Sequence, residues 1–214
     1  MTEPLFSSSR EALTFAANYK AGGVKASAMN RMLSEMQKYD ETAAQVERHG
    51  FKMPPPMQGW SALDKSGQAG LILQLTGRLP DVMVYTMLAA VLKPRDVCTC
   101  HQPCCCGFRP NKDWIEAVTV VDAALYEFLD ASKAAGKKGN YTLTAVVRVE
   151  MVRQFFDRQN VKPKSELAEL FGITEATVAA HQKKIGGHLT GMIREAFTKL
   201  DVILVEAGIV GSIE

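Results

Sequence analysis

Apolar side chains recur every three or four residues along most of the chain, which predicts helices rather than strands. Ser8 and Glu11 have the Ser-x-x-Glu spacing of a capping box, so we expect a helix that begins near residue 9 and ends near Gly22. Asp113 is predicted to cap a strongly amphipathic helix that starts with Trp114. The same spacing predicts further helices over residues 25–49, 66–76, 81–92, 141–158, 164–185 and 188–207.

Alternating strand patterns are nearly absent, so the sequence predicts an all-α fold. A stiff proline run at 54–56 and a basic, glycine-containing stretch at 132–140 are typical of linkers. We therefore expect a helical N-terminal region over 1–92. A cysteine loop followed by an amphipathic helix is expected over 93–140, and a third unit, with its own C-terminal helix, over 141–214.

The composition is that of a folded soluble protein. The chain has 214 residues, of which 47% are hydrophobic and 22% charged. Its longest apolar stretch, 82–92, is too short to span a bilayer. The first residues carry neither a basic segment nor a long apolar one, so no secretory signal is expected. These features predict a cytoplasmic protein and disfavour membrane, secreted and fibrous classes.

The net charge is close to zero, at +2. No predicted unit is a strong polyelectrolyte, so the chain has no polybasic coat for nucleic acid. Any affinity for nucleic acid must come from a local patch, or must be shared with a partner.

All five cysteines lie between Cys98 and Cys106. A disulfide framework needs cysteines spread along the chain, whereas clustered thiols in a cytoplasmic protein indicate a metal. Zinc takes four soft ligands, and two thiolate pairs joined by a loop bent at Pro103 can surround one ion. Cys98 and Cys100 form the first pair, and two of residues 104–106 form the second. His101 is an alternative ligand, and a reduced loop without metal is the alternative to a site.

No residue pattern predicts an enzyme. The four histidines form no recognisable acid–base or nucleophile arrangement, and no HExxH motif accompanies the cysteines. The predicted Zn²⁺ is therefore structural, and it would hold the loop between two helices.

Residues 164–185 have the pattern of two short helices joined by a tight turn. Leu167 and Leu170 are expected to face the core, and Gly172 to occupy a turn position with positive φ. Thr174 is expected to cap the second helix. With Val178 and Ile185 packed inward, the side chains expected to point outward are those of Glu175, Thr177, His181, Lys184 and, at the flank, Lys183.

The Ala-x3-Gly-x5-Val spacing in this segment resembles the helix-turn-helix of bacterial and phage regulators, including the last domain of sigma factors. In that motif the second helix enters the major groove of DNA. The resemblance implies that Thr174, Glu175, Thr177 and His181 contact bases, and that Ser165, Lys183 and Lys184 contact phosphates. The preceding segment adds a local excess of three positive charges, with Glu150 and Asp157 set against Arg148, Arg153, Arg158, Lys162 and Lys164. An ordinary helical hairpin, or a helix-turn-helix that docks on protein, is the alternative.

A Cys-x-Cys-x3-Cys-Cys loop followed by an aromatic-capped helix and a helix-turn-helix is similar to prophage DNA-binding proteins. It also resembles the Q-type late-gene antiterminators of lambdoid phages, which act on RNA polymerase. The pattern implies that Cys98, Cys100, Cys104 and Cys105 hold Zn²⁺ and that Cys106 is spare. The best-known antiterminators use two separated CxxC-like pairs, and this chain does not.

The expected function is therefore that of a phage or prophage transcription regulator in a bacterial host. Its expected partners are double-stranded DNA and RNA polymerase, with a sigma factor as a further candidate. The most specific activity that we expect is transcription antitermination. A conventional dimeric repressor or activator is the alternative, with the apolar stripe at 189–204 as a dimerisation element. A zinc-stapled adaptor without DNA contact is the third hypothesis.

Overall fold

The computed structural model describes residues 4–19, 61–98, 107–134 and 145–211, without the side chains of 62–63 and 130–134. The predicted helix over 25–49, the proline run, most of the basic linker and residues 99–106 lie outside the described residues. The described α-helices are α1 Ser9–Asn18, α2 Ala62–Thr76, α3 Asp81–Val91, α4 Lys112–Ala134, α5 Ala145–Phe156, α6 Lys164–Phe171 and α7 Glu175–Glu206. A 3-10 turn spans Arg158–Asn160, and two short strands are β1 Arg95–Val97 and β2 Phe108–Pro110.

The fold is mostly helical, which confirms the predicted class at a coarse level, but the cysteine segment is flanked by strands rather than by plain loop. β1 and β2 pair antiparallel, with Arg95 opposite Pro110 and Val97 opposite Phe108. Asn111 fixes the base of this hairpin, since its Nδ2 donates to the carbonyl of Lys93 at 2.8 Å. The hairpin therefore connects α3 to α4, and Asn111 holds its two strands together where they join these helices.

Capping side chains set the helix starts, although not always the predicted ones. The Ser8 hydroxyl accepts from the Glu11 N–H at 3.2 Å, which is one half of the predicted capping box, and the Glu11 carboxylate accepts from the Ser7 N–H at 2.9 Å. The α4 cap is Asn111, whose Oδ1 accepts from the Asp113 N–H at 3.1 Å, so the prediction of Asp113 as the cap was wrong. The α1 helix ends at Asn18, earlier than predicted, and Asn18 Nδ2 donates to the Val91 carbonyl at 3.1 Å.

The long helix α7 runs through the core of the described structure. Its inner side chains Leu189, Leu200 and Leu204 are fully buried. They lie in one apolar cluster with α1, α2 and α3, all of which pack on α7. The apolar stripe at 189–204 is therefore covered by the chain itself, and its predicted use for dimerisation is not supported.

Both ends of the described chain meet beside α7. Phe6 forms a parallel bridge with Val210, and the Phe6 N–H donates to the Ile209 carbonyl at 3.3 Å. Gly208 makes this return possible at φ 69°, the left-handed conformation expected after a helix. None of the helices in the described ranges is long and apolar enough to cross a membrane.

Candidate nucleic-acid interface and cysteine hairpin

The two helices and the turn predicted over 164–185 are present. Gly172 ends α6 at φ 63°, a conformation that a Cβ would strain. Thr174 caps α7, since its hydroxyl accepts from the Thr177 N–H at 3.2 Å. Leu167 is fully buried between the helices, together with Val178. The sequence pattern therefore predicted the two helix starts and the turn between them. The second helix runs without a break to Glu206, so the prediction of a separate helix over 188–207 was wrong.

Leu170 is an exception to the predicted packing, because 57% of its surface is exposed. Among the described elements, α6 packs mainly on α7, so only one narrow side of this two-turn helix is covered. Leu167 occupies that side, whereas Leu170 lies at its edge. The prediction that both leucines face the core was wrong for Leu170.

His181 lies on the inner side of α7 rather than on the outer side. Only 7% of its surface is exposed. Burial lowers the pKa of its imidazole, and the nearby charge of Lys184 lowers that pKa further. The helix continues without a break to Glu206, and His181 belongs to its inner line with Val178 and Ile185. A side chain in that position cannot reach a base edge, so the prediction that His181 reads DNA was wrong.

The outer side of α7 carries small side chains and one lysine. Helical geometry places Ala176, Ala180, Lys183 and Gly187 opposite the inner line, and all four are exposed. Sequence reasoning missed the two alanines, although their spacing of four residues on the side away from Val178 is a readable signal. This smooth face allows another molecule to approach the helix backbone closely.

The remaining predicted contact residues lie at the start of the two helices or along α7. Thr174, Glu175 and Lys184 are exposed, and Ser165 is exposed in the first turn of α6. Thr177 is half-buried, and its hydroxyl lies 2.9 Å from that of Thr174. Apart from His181, the predicted residues therefore stay on the accessible side of the α6–α7 unit.

Arg148 is not part of an accessible basic patch. Its Nε and Nη2 donate to the two carboxylate oxygens of Asp122 at 2.7 and 2.9 Å, and both residues are buried. Its guanidinium also lies 4.8 Å from the centroid of the Tyr126 ring. The pair ties α5 to α4, so the prediction that Arg148 adds to the local cationic excess was wrong.

The hairpin brings the two ends of the cysteine segment together. The Cys98 N–H donates to the Gly107 carbonyl at 2.8 Å, and Gly107 adopts φ 81°. Cys98 is half-buried, and it is the predicted metal ligand that falls within the described residues. Cys100, Cys104 and Cys105 lie outside them. Among the described side chains no group of three or more His, Cys, Asp or Glu can hold a metal, so the zinc site stays a prediction.

No known protein family, curated protein or solved structure matches the chain.

Proposed function

We propose that the chain is a phage or prophage transcription regulator that binds double-stranded DNA through α6 and α7 and acts on RNA polymerase. Late-gene antitermination is the form of this activity that the combination of cysteine loop and helix pair favours. The activity is not enzymatic, and the protein works in the cytoplasm of a bacterial host.

The exposed face of α7 is the observation that carries the proposal. The major groove of B-DNA admits an α-helix, and the small exposed side chains of Ala176 and Ala180 let the backbone of α7 approach the base edges closely. Lys183 projects from the same face and can reach phosphate or a guanine edge. Thr174, Glu175 and Thr177 lie in the N-terminal turns of α7, the part of such a helix that contacts bases. We propose that Ser165, Lys183 and Lys184 contact phosphates.

Ala180→Asp tests this interface directly. A carboxylate in the middle of the outer face would repel phosphate and fill the close-approach surface, so we expect duplex binding to be lost. Ala123→Asp is the matched control, because Ala123 is exposed in the middle of α4 and the helix-propensity cost is similar. Binding is measured by fluorescence anisotropy on duplexes selected from a random pool, with circular dichroism to confirm folding. Equal binding by wild type and Ala180→Asp would contradict the DNA-binding proposal.

We further propose one structural Zn²⁺ held by Cys98, Cys100, Cys104 and Cys105. The supporting observation is the hairpin, whose Cys98–Gly107 hydrogen bond closes the segment that carries all the other cysteines. A short closed segment with a surplus of thiols is the donor set that zinc prefers over harder ions. When bound, the metal would supply cross-linking of the segment and no chemical step.

Metal analysis of the purified protein should give one zinc per chain. Cys98→Ser should release the metal and destabilise the fold, because binding energy in such a site is folding energy. Cys106→Ser is the matched control and should leave zinc content and stability unchanged. Substoichiometric zinc with five titratable thiols in the native protein would refute the site, and metal loss in Cys106→Ser would refute the ligand assignment.

The alternative is a conventional dimeric repressor or activator. The apolar stripe that this alternative needs for dimerisation is not accessible, because Leu189, Leu200 and Leu204 are buried against the helices of the same chain. The body formed by α1–α4 instead offers a large surface to another macromolecule, for which we propose RNA polymerase. Co-purification of the full chain with core or sigma-bound polymerase tests this step. A stable dimer that retains no polymerase would favour the alternative.

A further inference from the structure

The α6–α7 unit has too little positive charge to account for DNA affinity by itself. From Ser165 to Ile185 there are two lysines, Lys183 and Lys184, and three glutamates, Glu166, Glu169 and Glu175. Contacts to phosphate supply most of the affinity in protein–DNA complexes. Because Arg148 is buried against Asp122, the missing cations must come from another surface next to this unit.

The cysteine hairpin contacts the chain just before α6. Arg95 on β1 donates from Nη2 to the Asn160 Oδ1 at 3.1 Å. Asn160 is oriented in turn, since its Nδ2 donates to the Asp157 carboxylate at 2.8 Å. A guanidinium has five N–H donors, so this bond fixes the Arg95 head group and leaves most of its donors to other acceptors. Arg95 is exposed.

This contact brings β1 next to the segment before α6. We call the cations of these two adjacent segments the junction patch and define it as Arg95, Arg158, Lys162 and Lys164. Lys164 lies four positions after Asn160, a span of at most about 14 Å. Two carboxylates accompany the patch: Asp157 accepts from the neutral Asn160 amide, and Glu166 pairs with Lys162 at 3.5 Å. Four cations against two carboxylates leave the patch with a net excess of two positive charges. Arg158 and Lys164 are exposed.

We propose that the junction patch binds the phosphate backbone of duplex DNA next to the groove entered by α7. The cysteine hairpin is then part of the DNA-binding surface as well as a structural element. Arg109 does not belong to the patch, because the register pairs it with Asp96 and so turns it to the other face of the hairpin from Arg95. The inference rests on the proposed DNA-binding function and adds residues to that site.

The test is the salt dependence of binding to a labelled duplex of mixed sequence. Each phosphate contact contributes about 0.9 to the slope of log affinity against log salt. Arg95→Ala and Arg158→Ala should each lower the slope by about that amount and weaken all duplexes alike. Arg95→Lys keeps the charge and should keep the slope. Arg109→Ala is the matched control, since it removes an exposed arginine from the opposite face, and its slope should equal that of wild type.

The outcomes separate this inference from the function on which it rests. If Ala180→Asp abolishes binding while Arg95→Ala and Arg158→Ala keep the wild-type slope, the junction patch is refuted and the α7 interface stands. An equal loss of slope in Arg109→Ala would also refute the patch, because general electrostatics would then explain the effect. If the wild-type protein binds no duplex, or binds single-stranded RNA in preference, the DNA-binding proposal itself fails.

Discussion

Replacing either partner of the buried ion pair between Asp122 and Arg148 should strongly destabilise the protein. The two hydrogen bonds, at 2.7 and 2.9 Å, join α4 to α5 where only 7% and 8% of the residues' surfaces are exposed. Asp122→Ala leaves a buried guanidinium without its counter-ion, and removing one partner of such a pair costs about 3–5 kcal/mol. A domain has only about 5–15 kcal/mol of stability, so the loss is a large fraction of the total.

The apolar double variant Asp122→Val/Arg148→Met shows whether the cost of a single variant comes from burying an unpaired charge or from losing the ion pair itself. Two packed apolar side chains in place of a buried pair are often neutral or stabilising, so the double variant should be more stable than either single variant. Lys199→Met is a surface control. It breaks the Glu195–Lys199 pair at 3.0 Å, whose side chains are 61% and 49% exposed, and should cost only about 0.5 kcal/mol.

The assay is urea unfolding followed by far-ultraviolet circular dichroism, with the free energy of unfolding extrapolated to water. If either single variant lowers the free energy of unfolding by less than about 1 kcal/mol, the range for exposed ion pairs, the Asp122–Arg148 pair does not behave as a buried pair. The double variant should also bind mixed-sequence duplex with the wild-type salt slope, because Arg148 does not reach the surface. A lower slope in that variant would restore Arg148 to the interface.

Two further predictions concern the turn before α7 and the two histidines of α7, His181 and His188. Gly172→Ala forces a side chain into the left-handed region, so it should lower the free energy of unfolding in urea by about 1–2 kcal/mol. The control is Gly191→Ala, which lies inside α7 with open space around it and should stabilise the protein by about 0.5–1 kcal/mol. A Gly172→Ala variant as stable as wild type would contradict the left-handed turn at Gly172. Burial lowers the pKa of His181 and of His188 below the ordinary 6.5, so the unfolded chain binds protons first and stability should fall as the pH drops below about 6.5. His181→Gln combined with His188→Gln should flatten that fall, and an unchanged pH profile would show that neither histidine causes it.

Local signals accounted for most of the helical structure. The capping hydroxyls of Ser8 and Thr174, and the glycine at 172, act within one turn of the helices that they start or end. Apolar periodicity accounted for α3 closely and for α2 except at its start. The hairpin was missed because strands of three residues, one of which ends in Pro110, are too short to show alternation.

The candidate site was predicted less well because its geometry depends on distant contacts. His181 is polar and lies in a segment with an accessible outer face, but the packing of α7 on α1–α3, α5 and α6 decides which side of the helix is inner. Arg148 looked accessible because its partner, Asp122, lies 26 positions away in the sequence. The link between Arg95 and Asn160 spans 65 positions, and no local pattern predicts it.

Transcription through a terminator tests whether the protein binds DNA through α7 and acts on RNA polymerase. The template carries a duplex site selected by the protein, placed beside a promoter with a terminator downstream, and is transcribed by purified bacterial RNA polymerase. The full chain is used, because α1–α3 share their core with α7 and a truncation would expose it. We expect more readthrough with the wild-type protein and with Ala123→Asp, and none of this increase with Ala180→Asp. Blocked initiation without readthrough, or equal readthrough with Ala180→Asp, would contradict this expectation.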